Sequence, residues 1–107
     1  MNKLVIIGNL TRAPELRSTP DGVPVCDFTV AVNRRKPTNN QPDADFFKVT
    51  TWRGLAENCS KYLAKGRKVC VTGPVSVRVY TANDGSVRAN MEVTADDVEF
   101  LSPKSSE

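Results

Sequence analysis

Phe46, Lys48, Thr50 and Trp52 occupy every second position of the run from Ala44 to Arg53. Side chains alternate across a strand, so these four share one face, while Phe47, Val49 and Thr51 share the other. Burying an unpaired ammonium is costly, so the row holding Lys48 belongs on the wet face and takes Phe46 and Trp52 with it. Exposed aromatics interleaved with a cation provide flat π surfaces for unstacked bases and positive charge for phosphates, the two requirements of single-stranded nucleic-acid binding. A hydrophobic edge or a subunit contact would use the same aromatics. A second, weaker row follows. With Val75, Val77 and Val79 expected to face inward, Arg78 and Tyr80 face outward together, and Arg88 lies on the returning strand beyond Asn83-Asp84-Gly85.

Other chemistries are poorly supplied. The chain has no histidine, which removes His-based metal sites, Ser-His and Cys-His nucleophile pairs and the usual proton carrier near neutral pH. Cys26, Cys59 and Cys70 are odd in number and widely spaced, matching neither a disulfide framework nor a C-x-x-C metal or redox site, and read as buried free thiols. Asp43 and Asp45 could form a carboxylate pair, but Arg34, Arg35 and Lys36 nearby suggest plain charge balance. No catalysis, no metal and no cofactor is expected. Net charge is +3, unevenly spread: five of twelve acids but one of fifteen bases lie from Glu92 onward, leaving fourteen bases against seven acids before it. Such an excess favours a polyanionic partner.

The elements that would position these residues can be read from hydrophobic period. A length of 107 residues suits one domain. A first strand over Asn2 to Leu10 places Leu4, Ile6, Gly8 and Leu10 on one face, and Thr11 to Gly22 reads as a loop or bent edge strand. Pro24 to Asn33 alternates strictly, with Cys26, Phe28, Val30 and Val32 inward. Arg34 to Asp43 has no apolar residue and reads as a mobile, positively charged loop. After the third strand, Leu55, Cys59, Tyr62 and Leu63 fall at helical spacing, with Gly66 as the stop. A fourth strand, with a bulge or bend at Gly73-Pro74, turns at Asn83-Asp84-Gly85 into a fifth running from Val87 to about Leu101. Five strands with one helix between the third and fourth suggest an all-β OB-fold barrel over residues 1–101, followed by a short polar tail, 102–107. A split sandwich has a similar pattern. The run Leu4-Val5-Ile6-Ile7 is too short for a signal-peptide core, and no segment approaches the roughly 18 apolar residues of a membrane span, so a cytoplasmic protein is expected, and a nucleic-acid partner would make it nucleoid-associated.

The runs IIGNLTRAPELRSTPDGVPVCDFTVAVNR, ADFFKVTTWRGLAENCSKYLAKGRKVCVTG and VRVYTANDGSVRANMEV resemble the bacterial-type single-stranded DNA-binding proteins over roughly Met1 to Leu101. The resemblance implies an OB-fold homotetramer that wraps single-stranded DNA without strong sequence preference in replication, recombination or repair. It places base-stacking aromatics at Phe46, Trp52 and Tyr80, and phosphate-facing bases at Lys3, Lys48, Lys65, Arg78 and Arg88. The family often has an aromatic after the second strand; here Arg34, Arg35 and Lys36 stand there, so charge is expected to replace a stacking contact. Many members end in a long tail with an acidic, Phe-tipped end. This sequence ends at Ser105-Ser106-Glu107, so tail-mediated recruitment of replication or repair proteins is not expected. The alternatives are a primosomal-type OB assembly protein with secondary DNA binding, a carboxylate-pair enzyme and a cold-shock-like RNA module.

Overall fold

Valine, isoleucine and aromatic side chains at alternating positions favour pleated, half-buried surfaces. The computed structural model, which describes residues 1–34 and 44–101, builds strands at these segments. In chain order they are β1 (Leu4–Leu10), β2 (Glu15–Ser18), β3 (Pro24–Asn33), β4 (Ala44–Trp52), the helix α1 (Arg53–Tyr62), β5 (Lys68–Gly73), β6 (Val75–Thr81), β7 (Val87–Thr94) and β8 (Asp97–Phe100). Arg35, Lys36, Asp43 and the 102–107 tail lie outside the described residues.

Hydrogen bonding joins the strands in the order β6-β7-β4-β3-β1-β5-β8, with β2 added to β3. The expected fourth strand is divided into β5 and β6 by Pro74, which has no N–H to donate. The expected fifth is divided into β7 and β8 at Ala95-Asp96. The terminal strands β6 and β8 do not pair with each other, so the sheet curls without closing into a ladder. Three backbone bonds secure the gap: Thr94 N–H donates to the Pro74 carbonyl (3.1 Å), Ala95 N–H to Thr50 (2.9 Å) and Asp96 N–H to Thr72 (2.7 Å). This is an OB-like, partly open barrel.

Ile6, Leu10, Cys26, Phe28, Val30, Val49, Val69, Val71, Val93 and Val98 fill the interior, and Ala56, Cys59 and Leu63 from the helix region cap one side. Two glycines permit close strand crossings. A Cβ on Gly8 would collide with the Ala31 carbonyl and the Val30 side chain, and one on Gly73 with the Thr94 carbonyl. The helix expectation needs correction at its end. Tyr62 is exposed, its ring 6.5 Å from that of Phe100, while Ala56 is buried and Leu55 only half-buried. The helix stops at Tyr62, before Gly66, because Leu63 turns extended and enters the core.

Val77 and Val79 do not face a core as expected; both are exposed, as is Val87. Beyond Val75 the β6–β7 hairpin projects as a two-stranded arm, and among the described residues no further layer covers either face of β6. Gly85, at φ +87°, makes its turn. At the root of the arm, Asn2 replaces the ladder that Pro74 interrupts: its Nδ2 donates to the Val75 carbonyl (2.8 Å), and its Oδ1 accepts from Val75 N–H (3.1 Å). Asn2→Ala is therefore expected to lower stability by about 1 kcal/mol in urea unfolding and to speed hydrogen exchange at the Val75 amide.

Candidate nucleic-acid interface

Residues paired across a ladder point to the same side of a sheet, so register decides which candidate side chains meet. On β4, Phe46 pairs with Ala31, Lys48 with Thr29, Thr50 with Asp27, and Trp52 with Val25 of β3. On the other side β7 runs parallel to β4, pairing Lys48 with Glu92 and Thr50 with Thr94. The arm continues the row: Glu92 pairs with Ser76, Asn90 with Arg78, and Arg88 with Tyr80. Phe46, Lys48, Trp52, Arg78, Tyr80 and Arg88 thus share one outward face across the three strands β4, β7 and β6. Phe46 is 56% exposed, Trp52 42% and Tyr80 40%.

Local structure sets the ends of this face. Trp52 is the last residue of β4 and also caps the helix in an extended conformation, and Arg53 follows at φ +58°. That left-handed step is uncommon for a residue with a side chain. It turns the chain sharply into the helix and leaves the indole at the rim. Lys3 and Lys65 are not on this face. Lys3 precedes β1 beside the Asn2 clamp, whereas Lys65 lies next to Gly66, whose N–H bonds the Leu10 carbonyl at the other end of β1.

Several of the cations already have acidic neighbours. Arg34 pairs with Asp45 (2.7 Å), which ties up one member of the suggested carboxylate pair; Asp43 is outside the described residues. Arg88 reaches Asp84 (3.4 Å) and donates from Nε to the Ser86 hydroxyl (3.2 Å). Hydrogen bonds from the Ser86 hydroxyl and amide, with help from Arg88, hold the Asp84 carboxyl below its ordinary range. Arg17 pairs with Asp27 at 2.6 Å. Lys48 and Arg78 have no such partner among the described residues. Lys48 stands between two hollows: one of about 600 Å³ beside Phe46 and Asn90, the other of about 350 Å³ beside Glu15, Asp27 and Glu92.

The remaining reactive groups are poorly placed for chemistry. Burial pushes the Cys26 thiol up to about 11 and the Cys59 thiol up to about 12, so neither is an activated nucleophile. Among the described residues, no group of three or more Cys, Asp or Glu could hold a metal ion, and no helix is long and apolar enough to cross a membrane. Asp27, Thr29, Asn90 and Glu92 join the face without having been picked out from sequence. Alternation marks Asp27 and Thr29 as outward, but no local signal pairs β7 with β4.

Comparison with known proteins gives consistent matches. A family model described as the single-strand binding protein family matches residues 1–101. A single-stranded DNA-binding protein of Caldanaerobacter subterraneus subsp. tengcongensis is 46% identical over 106 residues, covering 98% of this chain and 71% of the relative. One from Halalkalibacterium halodurans is also 46% identical, covering 100% of this chain and 64% of the relative. Among solved structures, a deletion mutant of the single-stranded DNA binding protein from Thermus aquaticus superposes with a TM-score of 0.74 at 33% identity, covering 96% of this chain and 42% of that one. The chain therefore spans only part of the length of each.

Proposed function

We propose a function from the premise that this chain belongs to the single-strand binding protein family: it binds single-stranded DNA in replication, recombination or repair, without catalysis. The observation that carries this reading is the shared outward face of Phe46, Lys48, Trp52, Arg78 and Tyr80. Bases stack on Phe46, Trp52 and Tyr80, a mode tolerant of sequence because every base has a π face. Phosphates meet Lys48 and Arg78, and also Arg88 once it exchanges Asp84 for the strand. Arg34 adds charge beside the Phe46 end of the face, Arg35 and Lys36 add to the positive charge of the chain that favours a polyanion, and Lys3 and Lys65 extend the basic surface beyond the face.

Assembly into a homotetramer is part of the proposal. Val5 and Ile7 are exposed on the outer side of β1, and β3 pairs with β1 only at Asn9 and Leu10. An exposed edge with apolar side chains favours pairing with another copy. Mass measurement in solution is expected to give a tetramer. A dimer occupying a short length of strand would favour the primosomal-type assembly reading instead.

Trp52 is the only tryptophan, so its fluorescence reports the face directly. Oligo-dT is expected to quench it strongly and duplex DNA weakly. Trp52→Ala and Tyr80→Ala should each cost about 1–3 kcal/mol in binding, followed for Trp52→Ala by an assay that does not use the indole. Unchanged affinity in both variants would remove the stacking role. Replacing Lys48 or Arg78 by alanine should lower the slope of log K against log salt by about 0.7 each, the single-strand value, whatever the base composition.

A further inference from the structure

The β6–β7 arm has two unlike faces. Cross-strand partners point to the same side, so Val77 with Met91, Val79 with Ala89 and Thr81 with Val87 make up one face, opposite to Arg78, Tyr80 and Arg88. None of these six residues is charged. At the root of the arm the same side runs into the barrel interior, where Val75 packs against the core and its ladder partner Val93 is buried. Toward the turn the cover ends: Val77 is 56% exposed, Val79 64% and Val87 73%. Three valines thus carry a core-type surface out into water on a ribbon of only two strands, a unit that is marginally stable unless something packs against it.

Composition narrows what covers this face. Segments 35–43 and 102–107, outside the described residues, contain no side chain more apolar than proline, so neither supplies an apolar cover and the face calls for another molecule. A face without charge asks for no opposite charge and is complementary to itself. Two such faces stack as the sheets of a sandwich do, about 10 Å apart, with their side chains interleaved. Pairing edge to edge along β6 would leave the valines in water. We propose that the valine face of the arm docks on the same face of the arm of a second copy of this chain, joining copies that lie side by side on one DNA strand. The contact rests on the single-stranded-DNA reading and leaves its residues free: Arg78, Tyr80 and Arg88 are on the other side of the arm, which therefore meets the strand and a neighbouring copy at once. Three valines are a small part of the roughly 1,200–2,000 Å² that a stable interface buries, so the contact forms where a shared strand has already raised the local concentration of copies.

The test compares the full chain with a triple variant, Val77→Thr, Val79→Thr and Val87→Thr, in which threonine keeps the branching and strand preference of valine but brings hydroxyls to the face. Trp52 quenching follows binding to two lengths of oligo-dT, a short one saturated by a single assembly and one several times longer. Affinity for the short oligomer is expected to stay within about twofold, as for other exposed substitutions away from the contact being measured. On the long strand it is expected to fall by about tenfold or more, the effect of returning apolar area to water. A second measurement stands even if the triple variant fails to fold. With Val79→Cys in a Cys70→Ser background, Cys26 and Cys59 remain buried, and a short bismaleimide joins two thiols at position 79 only where arms face each other. Cross-linked pairs are expected on the long strand, with a yield that falls severalfold when Val77→Thr and Val87→Thr are added. Equal long-strand affinity of the native chain and the triple variant, or cross-linking that the valines do not change, overturns the arm-to-arm contact and leaves the face to some other partner, while single-stranded DNA binding stands. Failure of the native chain to bind either length overturns both.

Discussion

The four-residue parallel ladder between β4 and β7, pairing Phe47–Thr50 with Met91–Thr94, is the contact on which the proposed binding face depends. It joins segments more than forty positions apart and carries the arm into line with the aromatic row of β4. Without it Phe46, Lys48 and Trp52 would form one short row, and Arg78, Tyr80 and Arg88 would lie on an unattached hairpin. A non-local pairing of this kind gains its enthalpy only after the loop-closure entropy has been spent, so the neighbouring contacts matter. Gly73 allows the chain to cross close to Thr94, Asn2 clamps Val75, and the backbone bonds of Thr94 to Asp96 tie the gap.

The face is less positive than a count of its lysines and arginines suggests. Arg17, Arg34 and Arg88 each have an internal carboxylate, and Lys48 stands beside Glu92 in the ladder. Exposed pairs of this kind contribute little to stability. Their effect is to orient long side chains and to make an incoming phosphate compete with a carboxylate already in place. Arg78 has no such competitor among the described residues, so its charge is the most directly available. The aromatic surfaces proposed for stacking do not pass through this competition, which gives aromatic and ionic contributions separate physical origins on one surface.

The exposed valines of the arm follow from the same geometry. Val77, Val79 and Val87 lie on the side of β6 and β7 opposite the aromatic row, where the barrel has ended and no second layer is present among the described residues. Their alternation is that of a core strand, but alternation records only which side chains share a side. Whether that side is covered depends on what packs against it. The same distinction explains Tyr62, which has helical spacing with core residues but sits at the last turn, over Phe100.

By itself the sequence determined the strand phases of β1, β3 and β4, the one helix, the hairpin at Asn83-Asp84-Gly85 and the exposure of Phe46, Lys48 and Trp52. Each of these follows from local physics: a period of two or of helical spacing, the cost of burying an ammonium, and the turn preference of Asp-Gly. The resemblance of three long runs supplied the expectation of an OB-fold and its aromatics. Only the tertiary structure decided that β7 lies parallel to β4, that Glu92 therefore adjoins Lys48, that Asn2 holds Val75, and that Lys3 and Lys65 fall at opposite ends of β1. Those facts depend on register between strands distant in sequence, and a side chain carries no local mark of the strand that will pair beside it.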